Sequence, residues 1–340
     1  MNIRYLILAL TSRCNLSCRY CYHGDSAIPM DMSYDVLQKA LDLASQGDGP
    51  LHIQITGGEP TLAENLVHFA VRQASMINRP HTIGIQTNGT NLSEPLIRFL
   101  KAHQVQICVS LDGPPDVQQQ LRGKAAATLR GMQLLELCEA PFRVTTVLSA
   151  ANLPHLPRTA LMLAGFSQAR GIGLDLLVKK GTARESAVSH PEAEELRHSV
   201  AKLVGVLDSV NVKRKIPLQL RELDLLKDAL SKPSVNGGKP FCHACRGESM
   251  AVAPDGRISL CGQTLRDSDF NAGTVLNPNF ERLTAFSGQA LTSKMCGQCP
   301  LQGRCPGECP SRMYYNSSDE PALVCNLYLG LLSTINSKMS

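Results

Sequence analysis

Six short apolar runs alternate with helix-like segments between residue 5 and about residue 178, and this alternation limits the fold more than any other feature of the chain. The runs are Tyr5–Leu10, Leu51–Thr56, His81–Thr87, Val105–Leu111, Phe142–Ser149 and Ile172–Val178, each rich in Ile, Val, Leu and Thr, as buried strands are. Tyr34–Ser45, Glu64–Ile77, Glu94–His103, Ala125–Cys138 and Leu153–Arg170 carry helical spacing, and Ser33, Ser93 and Asn152 stand where N-caps belong. Strands that follow one another through helices pair in parallel with right-handed crossovers, so the expected class is α/β. Periodicity alone fits an open doubly wound sheet and a partial barrel equally.

Polar and glycine-rich segments follow the first four runs: Cys14–Cys21, Gly57-Gly58-Glu59-Pro60, Asn88-Gly89 and Asp112-Gly113. Ligand sites of parallel α/β folds lie beyond the carboxyl ends of the strands, which puts these segments on one expected rim. The first spaces its thiols Cys14-x3-Cys18-x2-Cys21. Four-iron clusters take four cysteines, so three leave one iron open. An open metal position is where chemistry takes place. A zinc site completed by His23 is the plain alternative. Gly57 and Gly58 fit a turn where backbone approaches a ligand closely, and Pro60 fixes its exit. Gln86 and Asn88 alternate on one side of the third run, and if buried they need partners.

The chain has 13 cysteines, an odd count at metal-like spacings, and no export signal. That favours metal sites over a disulfide framework and predicts a reducing, oxygen-poor cytoplasm. A net charge of +5 is too mild for a nucleic-acid binder, and no apolar tract of ~18 residues predicts a membrane span. Met1–Leu10 lacks a small-residue cleavage site and reads as a strand. Pro191–Leu207 and Leu218–Leu230 read as helices, with Lys213-Arg214-Lys215 as a solvated turn and residues 234–240 as a linker. Eight cysteines then fall in residues 242–325, where apolar content is thin, which predicts a small domain folded around metal. Asn326–Leu332 reads as a short apolar helix before a frayed terminus. Cys108 and Cys138 need no function, since free cysteine packs as a small hydrophobe, and Met30 and Met32 read as packing.

With Tyr20 before the third cysteine and Gly57-Gly58-Glu59-Pro60 after the second strand, the opening motif resembles the signature of the radical S-adenosylmethionine (SAM) superfamily. The resemblance implies a partial (β/α)6 TIM-like barrel over residues 1–210 and a [4Fe-4S] cluster on Cys14, Cys18 and Cys21. The open iron then chelates SAM, reductive cleavage gives a 5′-deoxyadenosyl radical, and that radical takes a hydrogen atom from a substrate. The protein's part is to bind, aim and exclude water. The implied cofactor-binding residues are Tyr20, Gly57, Gly58, Glu59, Ser110 and Arg122, with Asp112 a weaker carry-over. A loop brace at Glu59 and a surface role for Arg122 stay open beside these. Cys108 has the further reading of a hydrogen donor to a substrate radical.

The later cysteines, Cys242-x2-Cys245, Gly256-x4-Cys261, Cys296-x2-Cys299-x5-Cys305-x3-Cys309 and Cys325, resemble the SPASM domain of many radical SAM enzymes that modify peptides and proteins. It would occupy residues 241–340, after a helical bridge and linker at 211–240. The resemblance implies two auxiliary [4Fe-4S] clusters. One would sit on Cys242, Cys245, Cys261 and Cys309, the other on Cys296, Cys299, Cys305 and Cys325, both fully ligated and suited to electron transfer. The leading x2 spacing is longer in some relatives, which leaves Cys242 open as a ligand, and a zinc ribbon remains an alternative for the domain. The implied function is modification of a peptide or protein by cross-linking, epimerisation or oxidation, with flavodoxin or ferredoxin as electron donor and neither nucleic acid nor membrane as partner. Sulfatase maturation to formylglycine is one alternative. Its enzymes place an acidic residue after the third SPASM cysteine, where this chain has Gly262. An electron carrier without SAM chemistry is another, and it leaves the Gly-Gly-Glu-Pro turn unexplained. A first strand at residue 5 leaves no room for a leader-gripping domain ahead of it, so substrate recognition is expected from the rim, the C-terminal domain or a separate partner. Lys179 and Lys180 are rim candidates for an acidic peptide, or a solvated strand end. No catalytic base is assigned.

Overall fold

The structure, a computed structural model, describes residues 1–24, 28–234, 240, 242–285, 294–305, 307–317 and 322–336. Its fold is α/β, a mostly parallel sheet with helices in the crossovers. The strands are β1 Tyr5–Ala9, β2 Leu51–Thr56, β3 His81–Thr87, β4 Gln106–Ser110, β5 Phe142–Leu148, β6 Ala169–Leu176, β7 Gln219–Leu220, β8 Ser249–Val252 and β9 Ile258–Ser259. The helices are α1 Tyr34–Ser45, α2 Glu64–Ala74, α3 Glu94–Ala102, α4 Pro115–Leu121, α5 Ala125–Leu137, α6 Leu156–Ala164, α7 Ala193–Asn211, α8 Arg221–Leu230, α9 Phe280–Thr284, α10 Pro310–Asn316 and α11 Ala322–Asn336.

The chain divides into two compact units. Unit 1 is Met1–Ser17, Asp25–Cys108 and Cys242–Gln289; unit 2 is Cys18–Gly24, Val109–Phe241 and Ala290–Ser340. The cuts fall inside the cysteine loop and inside β4. In unit 1 the strand order is β4-β3-β2-β1-β8-β9. Parallel ladders join β3 to β2, β2 to β1 and β1 to β8, and β8 pairs with β9 antiparallel. The buried residues of β2 are Leu51, Ile53 and Ile55, alternating with His52, Gln54 and Thr56, the period of two that a strand imposes. Helix α1 starts where Ser33 accepts from Val36 N, and Leu37, Ala40, Leu41 and Ala44 make its buried stripe. In unit 2 the order is β4-β5-β6-β7, with β5–β6 and β6–β7 parallel. There α11 packs on α7 through Gly330, where an added Cβ would lie 3.0 Å from the backbone of Arg197.

Several boundaries differ from expectation for local reasons. The helix expected over Leu153–Arg170 is a 3-10 turn, Leu153–His155, followed by α6, and β6 opens at Ala169. Helix α4 was not expected, although Pro114-Pro115 supplies the rigid φ that suits a first turn. Arg214 is no solvated turn residue. It donates to the carbonyls of Ala164, Phe166 and Ala169 at 2.7–3.0 Å, tying the loop before β7 to the end of α6. The apolar helix expected over Asn326–Leu332 runs the full length of α11. Cys138 caps α5 and is buried, and Met32 is buried while Met30 is largely open. Residues 235–239 of the linker and 337–340 of the terminus lie outside the described residues. No helix among the described residues is long and apolar enough to cross a membrane.

Candidate active site

In unit 1 the chain leaves β1 and runs against the Gly-Gly-Glu-Pro turn. Gly58 N donates to Thr11 O at 2.7 Å and Glu59 N to Arg13 O at 2.8 Å. An added Cβ would lie 2.5 Å from Thr11 O at Gly57, whose φ is +152°, and 2.2 Å from Arg13 O at Gly58. The backbone that demands these glycines is therefore the cysteine loop itself, a reason different from the ligand approach expected from sequence. Gly58→Ala should destabilise the protein by roughly 1–3 kcal/mol, the scale of overpacking, because rigid backbone and not a flexible side chain must move. Anaerobic urea unfolding against wild type measures this.

Glu59 is 1% exposed. Its Oε1 accepts from Thr61 N, Thr61 Oγ1 and Thr87 Oγ1 at 2.6–3.1 Å, and its Oε2 from Asn88 N at 2.6 Å. Burial raises its pKa against these bonds. The carboxylate is a brace between two loops. Asn88 Nδ2 donates to Asn15 Oδ1 at 2.8 Å, and Asn15 Nδ2 donates to Thr90 Oγ1 at the same distance. Mutual hydrogen bonding thus accounts for buried Asn88. Arg13 makes a two-pronged pair with Asp31, at 2.9 and 2.6 Å, and donates to Leu62 O. Thr11, Ser12, Arg13 and Asn15 anchor this limb through Asp31, through Ile28 and Met30, and through the loops after β2 and β3, and Cys14 is exposed.

In unit 2 the segment Cys18–Gly24 has its own anchors. Arg19 N donates to Leu121 O at 3.0 Å and Thr182 N to Cys21 O at 2.9 Å. Tyr20 is buried, and its hydroxyl donates to Asp112. Asp112, 0% exposed, also accepts from Arg122 Nε at 2.9 Å, from the second guanidinium nitrogen at 3.1 Å and from Val147 N at 3.1 Å. The Arg122 guanidinium carbon lies 5.3 Å from the Tyr20 ring centroid, a cation–π contact. Burial pushes the Tyr20 phenol well above its ordinary pKa. Burial opposes the Arg122 charge, but Asp112 outweighs it and the pKa is raised. Sequence left Arg122 between cofactor contact and surface residue; the structure excludes the surface. Cys18 lies within the field of the same guanidinium. Ser110 is half-buried on the face of β4 that also carries Cys108, and its carbonyl accepts from Gln118 Nε2 at 3.3 Å.

One charged group here escaped the sequence reading. Asp175, near the end of β6 and half-buried, pairs with Arg221 at 2.7 Å, and Arg221, Arg312 and Arg122 hold its pKa low against partial desolvation. A lone Asp inside an apolar run that needs a partner was the available signal. Lys179 and Lys180 are half-buried. Lys179 Nζ donates to Val188 O at 2.7 Å, and Lys180 Nζ lies 4.8 Å from the Tyr315 ring centroid.

None of the later cysteines is in a disulfide. In unit 1, Cys242 Sγ and Cys245 Sγ lie 3.7 Å apart, and Thr264 Oγ1 donates to Cys261 Sγ at 3.6 Å. In unit 2, burial pushes the thiols of Cys305 and Cys325 up to about 11, with the charges of Cys296 and Cys299 among the further causes in both. Among the described residues no three His, Cys, Asp or Glu side chains close on a single-ion position. The ring of His23, the sequence candidate for a zinc ligand, packs on Tyr22 at 4.3 Å.

Residues 8–149 match the family model of the radical SAM superfamily. An uncharacterized protein of Methanocaldococcus jannaschii is 30% identical over 267 residues, which cover 76% of this chain and 85% of that protein. The chain belongs to the radical SAM superfamily. Membership implies a [4Fe-4S] cluster used with SAM, and three cysteines at the family spacing, none in a disulfide, fit that cluster. This radical SAM protein is also 28% identical to the AdoMet-dependent heme synthase of Methanosarcina barkeri over 345 residues, covering 93% of each. Its fold matches solved anSMEcpe with bound AdoMet and the Kp18Cys peptide at a TM-score of 0.76 and 21% identity, covering 100% of this chain and 98% of that one.

Proposed function

We propose that this protein is a radical SAM/SPASM enzyme that abstracts hydrogen from a peptide or protein substrate. The observation that carries the reading is a second set of cysteines, Cys296, Cys299, Cys305 and Cys325, in the sequence beyond the family segment. A fold shared over the full length with a protein solved with AdoMet and a peptide supports it. Residues 1–210 would form the partial barrel, 211–240 a helical bridge and linker, and 241–340 the SPASM domain. Cys14, Cys18 and Cys21 would hold the catalytic cluster. Cys242, Cys245, Cys261 and Cys309 would hold one auxiliary cluster and the other four thiols the second. The bound cluster and SAM supply one-electron cleavage to a 5′-deoxyadenosyl radical.

The chain's own part follows from its geometry. Gly57 and Gly58 let the turn and the cysteine loop lie flush. Glu59 and Asn88 stiffen them from within. Tyr20, Asp112 and Arg122 pin the Cys18–Cys21 limb and leave the guanidinium beside Cys18, able to pair with an anionic group of SAM. Half-buried Ser110 remains the ribose candidate. A reducing cytoplasm and a flavodoxin or ferredoxin donor belong to the same proposal.

Reconstituted protein incubated anaerobically with SAM and dithionite should release 5′-deoxyadenosine, and iron analysis should give about twelve irons per chain. Fully loaded protein that releases none, or stoichiometric zinc in place of iron, would overturn the reading. The full-length likeness to a heme synthase favours a second reading, action on a tetrapyrrole. Stimulation of 5′-deoxyadenosine release by a haem precursor and not by peptides would select it.

A further inference from the structure

Helix α10 ends on Asn316, a half-buried side chain that bonds two backbone groups just beyond β6. Its Oδ1 accepts from Lys179 N at 2.7 Å, and its Nδ2 donates to Leu177 O at 3.1 Å. Leu177 is 1% exposed, so water is a poor substitute for the amide there. A few residues further on, the same loop meets the second limb of the cysteine motif. Thr182 N donates to Cys21 O at 2.9 Å. Gly181, at φ +57°, lies so close that an added Cβ would stand 2.5 Å from Cys21 O and from Gly24 N. Ala183 and Val188 are buried in one cluster with Tyr20 and Leu121. All of these residues lie in unit 2. Neither α10 nor the loop falls within residues 8–149, the family segment. A helix of the C-terminal segment thus sets a loop that in turn holds the carbonyl of a motif cysteine.

We propose that Asn316 is a positioning residue for Cys21, and so for the catalytic cluster, acting through residues 177–182. The inference rests on the ligation proposed for Cys14, Cys18 and Cys21 and not on the SPASM reading. Groups that bond the neighbours of a metal ligand fix its orientation as much as the metal does. Here the Cys21 peptide is gripped by Thr182 N, and Thr182 is in place because Leu177 and Lys179 are tied to the end of α10. Removing the Asn316 amide leaves one backbone donor and one backbone acceptor to find new partners, so the loop relaxes and Cys21 shifts with it. A misplacement of about 1 Å at a reacting centre can cost on the order of a hundredfold in rate.

The test is electron paramagnetic resonance of full-length reconstituted protein, reduced anaerobically and recorded with and without SAM. The change on adding SAM isolates the cluster that binds it. Asn316→Leu, near in volume, removes both bonds. It should keep the wild-type iron content, yet lose or broaden the SAM-induced change and cleave SAM at least about tenfold more slowly. Asn316→Gln keeps a donor and an acceptor and should recover a larger share of both readouts. Gly181→Ala presses on Cys21 O from the loop and leaves α10 untouched, and it should alter the SAM-induced change in the same way. Wild-type SAM-induced spectra in both Asn316→Leu and Gly181→Ala, at full iron content, overturn the proposal and leave the ligation reading intact. Loss of iron and of the unfolding midpoint in Asn316→Leu, with a wild-type spectrum in Gly181→Ala, marks a merely structural asparagine and overturns it as well. A Cys14→Ala protein that still shows the wild-type SAM-induced change overturns the ligation reading itself.

Discussion

Cys14→Ala protein should lose reductive SAM cleavage by at least about a thousandfold, while keeping about eight of its twelve irons. The size follows from the role. On the proposed ligation three thiolates hold the catalytic cluster, so removing one takes away the cofactor and not merely a contact. Cys14 is the exposed member, and its loss leaves the anchors around Thr11, Arg13 and Asn15 in place. Folding should therefore be spared, and the loss should appear in 5′-deoxyadenosine yield with an unchanged unfolding midpoint. Full cleavage activity in this variant would remove the cluster assignment on which the rest depends.

Asp112→Ala should be the most destabilising single change in the region, by about 3–5 kcal/mol, because it strands a buried guanidinium without a counter-charge. Asp112 is the common acceptor of Tyr20, Arg122 and Val147. Its loss should also loosen the Cys18–Cys21 limb, so iron content per chain should fall with stability. Asp112→Asn keeps the shape and some of the hydrogen bonds, and should retain more iron than alanine does. Urea unfolding and iron analysis of the two variants, prepared side by side, measure both. If alanine costs less than about 1 kcal/mol, the range of an exposed pair, Asp112 is not the hub described.

How much of this was legible in the sequence depended on the distance between partners. The strands were legible because Leu51, Ile53 and Ile55 alternate with polar residues and because the Ile- and Val-rich runs have few other places to go. The cysteine loop and the glycine turn were legible as local patterns, although the glycines proved to accommodate protein backbone. Tyr20 and Asp112 were each noted, but their bond crosses 92 residues, and nothing local to either announces the other. Arg214 failed for the same reason, since a basic tripeptide looks solvated until its carbonyl acceptors some 50 residues earlier are known. The end of α6 was misplaced because Gly165 was the only breaker ahead of β6 and isolated glycine is a weak stop signal.

The parallel ladder between β1 and β8 bears on how the chain is made. Tyr5 is paired with Ser249, so one edge of the first strand waits for a segment translated about 240 residues later, roughly 12–50 s at ordinary rates of synthesis. Throughout that interval Leu6 and Leu8 border an unpaired edge, the kind that recruits other strands. Expression should accordingly be sensitive to crowding by like chains and to anything that slows the ribosome between residues 5 and 252, and truncation before β8 should yield aggregate.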